Sequence, residues 1–237
     1  MLHLKKRKIK KIIKYSLLSL CILIALGLAV TLGIYIYKEC TKPVRTYTDE
    51  EMFLGSGLSI VETGKYSGKY FEDGTDEEVN DVMFIVLKNN SSKDLQYADI
   101  VALSGDTEFL FTASNIPSGA SVMLLEKGKQ QAKKELTSAE AESVSFFGQN
   151  MDIKKSLFKI QRLEGVINLI NISGSDITDD VYLYYKNGGD GLYFGGITYR
   201  ARVTGGIKAN EVKQLGAKHF SSADSDIVDI VLTASAE

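Results

Sequence analysis

Two patterns of apolar and polar positions divide the chain. The first is an unbroken apolar run, YSLLSLCILIALGLAVTLGIYIY, with no charged residue in its 23 positions from Tyr15 to Tyr37. At 1.5 Å per residue a helix of that length covers roughly 34 Å, enough for a hydrocarbon core of about 30 Å, so the pattern predicts a transmembrane helix over 15–37. The second pattern begins after a polar stretch, 38–56, which holds Pro43 and keeps no period. Short runs rich in β-branched and aromatic residues then recur: LSIV from Leu58, DVMFIVLKN from Asp81, ADIVAL from Ala98, EFLFTA from Glu108, SVMLLE from Ser121 and SVSFFG from Ser143. Asn, Gly, Ser and Asp separate them, the signature of an antiparallel sandwich or barrel. Val82 to Leu87 is apolar at every position, which predicts a central strand covered on both faces.

The second half repeats the first. Leu87–Leu95 (LKNNSSKDL) laid over Leu169–Ile177 (LINISGSDI) at an offset of 82 matches Leu87 with Leu169, Asn89 with Asn171, Ser91 with Ser173 and Asp94 with Asp176. ADIVAL then corresponds to DVYLYY from Asp180, and Ser114–Val122 to Gly205–Val212. In that last pair Gly119 meets Asn210, two residue types that readily take the left-handed conformation of a tight turn. A final strand closes each copy, SVSFF in one and DIVDIVLTA in the other. Gly128–Ser143 is polar and helix-favouring, with Thr137 and Glu140 at capping-box spacing; it reads as a short helix or, better, a solvated connection without an apolar stripe.

The organisation expected is thus all-β: a tail over 1–14, a transmembrane helix over 15–37, a stalk over 38–56, and two tandem antiparallel β-sandwich modules over 57–149 and 150–237. The order of elements resembles the immunoglobulin-like extracytoplasmic modules of Gram-positive bacteria, the FxLYD type in particular. Tyr182, Leu183, Tyr184 and Tyr185 resemble that type's core strand, and Ile116, Pro117 and Gly119 its final turn, while Ala102 and Leu103 stand where the first copy would carry Leu and Tyr. The resemblance implies an exported, non-enzymatic, interaction-bearing protein, with no site residue to carry over.

Charge sets the orientation. The first fourteen residues hold seven cations (Lys5, Lys6, Arg7, Lys8, Lys10, Lys11, Lys14) and no carboxylate, a positive-inside flank that places the N-terminus in the cytoplasm and the modules outside the cell membrane. Setting those aside leaves 21 Lys and Arg against 30 Asp and Glu, a net charge of −9, which disfavours nucleic acid as a partner. A cleaved signal peptide is the rival reading, although its apolar region would be shorter, about 7 to 15 residues. A lipobox is poorly matched, since Leu20 precedes Cys21. Cys40 is the single cysteine beyond the span, so no internal disulfide staples the modules; it is read as a free thiol or as a link between two chains.

Candidate chemistry is thin, and no cofactor is expected. Ser156 and Lys159 match S-x-x-K, which needs one helical turn to bring hydroxyl and amine together, yet SLFKIQRL alternates as a strand. His219 is the one imidazole beyond the span, so a Ser-His-Asp triad or a zinc site lacks parts. Hard oxygen donors crowd FEDGTDEEVND, making Asp73, Asp76, Glu78 and Asp81 weak calcium candidates at non-EF-hand spacing. Lys186–Gly206 holds seven glycines but no GK[ST] ending, and NGGDG before YFGGITYRARV reads as a hairpin. Its Tyr193, Phe194, Tyr199, Arg200 and Arg202 are residue types enriched in binding hot spots and form the candidate partner-binding set. Asn89, Asn90 and Asn171 lie in N-x-S sequons, of consequence only where a secretory pathway glycosylates. The expected roles are binding or scaffolding of a protein partner at the cell envelope by a chain anchored in the lipid bilayer through Tyr15–Tyr37, or service as an accessory subunit of a membrane export complex; a Ser156/Lys159 hydrolase is the remaining alternative.

Overall fold

The computed structural model describes residues 24, 27–28, 30–32, 44–46, 51–131, 135–189 and 191–234. The chain divides into a unit Met1–Lys42 and a unit Pro43–Glu237. In the first, Ile24, Gly27, Leu28, Val30, Thr31 and Leu32 are helical. The rest of the expected span, the basic tail and Cys40 lie outside the described residues, and among the described residues no helix is long and apolar enough to cross a membrane.

The second unit is built of strands: β1 (Val44–Thr46), β2 (Met52–Gly55), β3 (Leu58–Lys69), β4 (Glu78–Asn89), β5 (Leu95–Ser104), β6 (Thr107–Ile116), β7 (Ser121–Leu125), β8 (Ser138–Phe146), β9 (Phe158–Leu163), β10 (Val166–Asn171), β11 (Asp180–Gly189), β12 (Leu192–Val203), β13 (Val212–Gly216) and β14 (Ser225–Thr233). In the first half β4 lies between β3 and β7, and the three-stranded sheet β6-β5-β8 faces them. Leu58, Ile60, Met83, Ile85 and Leu87 from one sheet meet Leu95, Ile100, Phe109 and Phe111 from the other. In the second half β10 lies between β9 and β13, facing β12-β11-β14 across a separate core of Phe158, Ile167, Leu169, Leu183, Ile227 and Ile230. The pairing order of the first six of these strands thus recurs in the next six.

β4 is buried along Val82–Leu87 as its sequence predicts. Met83, Ile85 and Leu87 point into the first core, while Val82, Phe84 and Val86 form a third cluster with Tyr70, Met123 and Leu125. The chain folds back over that outer face after β3, where Tyr70 donates its hydroxyl to the carbonyls of Glu126 and Lys127 at 3.1 and 3.2 Å. Full burial of each such side chain is worth roughly 1.5–3 kcal/mol.

The duplication extends to individual atoms. Asn89 Nδ2 donates to the carbonyls of Lys93 (2.9 Å) and Ile116 (3.1 Å), and Asn171 Nδ2 to those of Ser175 (2.7 Å) and Ile207 (2.9 Å). The Ser91 and Ser173 hydroxyls each donate to the amide oxygen of their Asn at 2.7 Å. Asp94 accepts from Ser118 N, and Asp176 from Ala209 N. Gly119 (φ 77°) and Asn210 (φ 61°) occupy equivalent left-handed turn positions, each returning its N–H to the carbonyl of the pivot Asn. Both pivots are fully buried, which removes Asn89 and Asn171 from consideration as glycosylation acceptors.

One expectation is corrected. Thr137 donates its N–H to Leu103 O, and β8 starts at Ser138, so the capping-box spacing lies at the start of a strand. Ala139, Val144 and Phe146 face the first core in alternation, and a bulge opposite Asp99/Ile100 keeps that phase across the polar residues. The two halves share a sheet. β7 and β12 pair in parallel, Ser121–Met123 against Leu192–Phe194, and fuse β1-β3-β4-β7 with β12-β11-β14 into an eight-stranded sheet that also includes β2.

Candidate functional site

Alternation along β12 separates the five candidate binding residues. Tyr193 faces inward and is buried in the first core, where burial pushes its hydroxyl up to about 12. Tyr199 lies against the second core, its ring stacked between Tyr185 (5.3 Å) and His219 (4.8 Å). Burial pushes the Tyr199 hydroxyl up to about 12 as well, helped by the Asp76 charge. Phe194 is 38% exposed and leans on Phe71 at 6.4 Å. Beyond the bulge, Arg200 and Arg202 are the exposed positions of β12 and define its outer face.

The register places Tyr184 opposite Arg200 and Tyr182 opposite Arg202. Both guanidinium groups lie 5.2 Å from the centre of the Tyr182 ring, within cation–π range. Arg202 also pairs with Asp180, a carboxylate only 7% exposed that accepts from Gly205 N at 2.9 Å. Among the described residues no carboxylate forms an ion pair with Arg200. Val231 of β14 flanks Tyr182 in register and is 36% exposed. The face is thus a Tyr–Arg ladder with an aliphatic border.

The seam between the halves holds the other unusual polar groups. Between Tyr185/Tyr199 and Asn187/Phe194 the β11–β12 register shifts, and Gly195–Thr198 bulges around the single residue Lys186. Lys186 is fully buried, its Nζ donating to the carbonyls of Ile197 (2.7 Å), Ser114 (3.1 Å) and Gly196 (3.3 Å) and to Thr198 Oγ1 (3.4 Å). Glu72 accepts from Leu125 N of β7 (2.8 Å) and Gly196 N of β12 (2.6 Å), and so spans the seam. Burial pushes Glu72 up to about 7 against those two N–H donors and the Lys186 charge, and pulls Lys186 down to about 7 against the attraction of Glu72. The acceptors around Nζ favour the ammonium form, opposing the pull of burial. Chemically this is a clasp across the β7–β12 seam of one sheet, tied to β6 of the facing sheet through Ser114, with its donors and acceptors committed to the main chain or a hydroxyl.

The remaining candidates are not brought together. Ser156 lies in the turn Lys155–Leu157 and Lys159 on β9, so they do not share a helical turn. Asp73 accepts from Thr75 N and Oγ1 and pairs with Lys129 at 3.4 Å; the Thr75 hydroxyl bond holds its carboxyl below the usual range. Among the described residues no three His, Cys, Asp or Glu side chains gather as a metal site, so Asp73, Asp76, Glu78 and Asp81 do not converge. Two open grooves, about 520 Å³ beside the β5–β6 turn and about 270 Å³ beside β14 at Asp229–Leu232, lie apart from these residues.

Sequence reasoning missed the Glu72–Lys186 clasp. Its one signal is a lone lysine directly after the aromatic-rich run VYLYY, in phase with Tyr182 and Tyr184 yet on the far side of a register shift. No protein-family model, no curated protein and no solved structure matches this chain.

Proposed function

We infer that the protein is a single-pass, membrane-anchored protein of the cell envelope whose two immunoglobulin-like β-sandwich modules lie outside the cell and bind or scaffold a protein partner. The fold part of this reading rests on the recurring six-strand order, in which a three-stranded sheet faces three strands of the eight-stranded sheet in each half. The topology rests on the apolar run Tyr15–Tyr37 and its seven-cation flank. The observation that carries the binding role is the outer face of β11 and β12. There Arg200, Arg202 and Tyr182, types enriched in interface hot spots, project from a rigid sheet rather than from a loop.

The test is a photo-activated cross-linker in place of Arg200, expressed in the full chain in cells, with a second at Lys218 as control. The expected outcome is one reproducible adduct from Arg200, in the membrane fraction, that Lys218 does not give. Fractionation of a chain truncated after Tyr37 checks the anchor, and a full-length product found in the soluble fraction would overturn the topology.

A further inference from the structure

We propose that the Arg200–Tyr182–Arg202 face binds an extended acidic peptide segment, with a Glu or Asp carboxylate seated over the two guanidinium groups. This rests on the partner-binding reading above and names the chemistry of the partner. The site is short of one negative charge. Two cations each 5.2 Å from one ring centre are at most 10.4 Å apart, and the one ion pair they make among the described residues is that of Arg202 with Asp180. Asp180 is committed to Arg202 and to Gly205 N, and among the described residues no carboxylate forms an ion pair with Arg200. A guanidinium held against a ring keeps its planar fork pre-oriented for two parallel N–H···O bonds, the geometry a carboxylate accepts.

An extended segment suits the rest of the face. Tyr182 and Val231 offer ring and aliphatic surface on the same side of the sheet as the two arginines, while Tyr184, in register with Arg200, packs against the first core. A strand-like peptide with acids at every second residue presents them all on one side. A broad anionic surface such as a membrane is the poorer match, because the chain beyond the tail carries a net −9, which disfavours its approach.

The experiment uses the full chain in a neutral detergent and a fluorescein-labelled peptide of alternating Glu and Ser, with the Gln–Ser peptide as its uncharged counterpart. Anisotropy at low salt is expected to show binding of the Glu peptide and about ten-fold weaker binding of the Gln peptide. Arg200→Gln is expected to weaken the Glu peptide about ten-fold, Arg200→Lys to restore only part, and Lys218→Gln to change nothing. The Arg200 side chain makes no hydrogen bond within the described residues and contributes only its contact with the Tyr182 ring, so urea midpoints should move little and separate loss of binding from loss of fold. Equal binding of the two peptides, or a Glu peptide indifferent to Arg200→Gln, overturns the proposal. So does binding to anionic vesicles without binding to the peptide. If the peptide fails while the Arg200 cross-linker still yields its specific adduct, the acidic chemistry falls and partner binding stands; if both fail, both fall.

Discussion

Asn89 and Asn171 allow a quantitative test of whether the repeat is a repeat of energetics. The Asn89 side chain takes part in five hydrogen bonds: Nδ2 to the carbonyls of Lys93, Ile116 and Pro117, and Oδ1 from the N–H and hydroxyl of Ser91. The Asn171 side chain takes part in four, to Ser175 and Ile207 and from both Ser173 groups. A net hydrogen bond contributes about 0.5–1.5 kcal/mol, and a buried group left without its partner costs about 1–3 kcal/mol. The serine groups lie near solvent and can turn to water, whereas Ile116 O and Ile207 O are enclosed. Discounting the former leaves about 3 kcal/mol for Asn→Ala at either site.

Urea unfolding of Asn89→Ala and Asn171→Ala at pH 7 measures this directly. Asn→Asp sharpens it. Aspartate keeps the two acceptor roles toward serine but turns an oxygen toward carbonyls that need a donor. Asn89→Asp should therefore be worse than alanine at pH 7 and recover on acidification, because only a protonated carboxyl can donate. Its folded-state pKa is raised by this arrangement, so the stability it contributes is present at low pH and lost as pH rises. Losses below about 1 kcal/mol in both alanine variants would refute the reasoning, as would an aspartate variant whose deficit is independent of pH.

The clasp gives two further predictions. Glu72 has a folded value of about 7 against 4.5 ordinarily, so its contribution is full below 4.5 and lost as pH rises through about 7. Lys186 runs the other way, from 10.5 down to about 7, so its contribution is present above 10.5 and lost as pH falls through about 7, leaving the pH 5–6.5 limb to Glu72. Glu72→Gln should flatten a fall of about 2 kcal/mol between pH 5 and 7 in urea titrations, while lowering stability overall because an amide offers one acceptor to two N–H groups. An unchanged slope would sink the assignment. Gly196→Ala would place a Cβ 1.7 Å from Thr112 O, a clash with backbone that no rotamer relieves. The expected loss is about 3 kcal/mol, with faster hydrogen exchange at Leu125 and Gly196. A variant with parental midpoint and exchange would show that the seam yields freely.

Most of the architecture is legible because strands announce themselves by a period of two and by punctuation. Val82–Leu87, the hairpin Asp180–Val203 and the Asn–Ser–Asp turns all carry local signals that tertiary structure has no reason to override. The Thr137–Glu140 region misleads because capping spacing is a local preference worth about 1 kcal/mol, whereas pairing with β5 satisfies a whole row of main-chain groups. Of the site, alternation alone distinguishes Arg200 and Arg202 from Tyr193 and Tyr199, but choosing the outward phase requires knowing which face of β12 meets a core. Glu72 is illegible for a different reason. In sequence it is one acid among six between Glu72 and Asp81, and only the return of the chain over β7 and β12 singles it out.

The mismatch between the two copies is more informative than their match. The offset is 82 at Asn89/Asn171 and Asp94/Asp176, but 91 at Ile116/Ile207 and Gly119/Asn210, so nine extra residues lie in the β11–β12 hairpin. That hairpin supplies Leu192–Phe194, which pair with β7, and the Gly195–Thr198 bulge, which encloses Lys186 and meets Ser114, Thr112 and Glu72. β6, its counterpart in the first copy, is shorter by this reach and remains an edge strand. The extra length is therefore what converts two equivalent sandwiches into one body with a single seam. It also fixes the outer Arg–Tyr face relative to the strands of the first half, because β12 carries both the pairing with β7 and the two arginines.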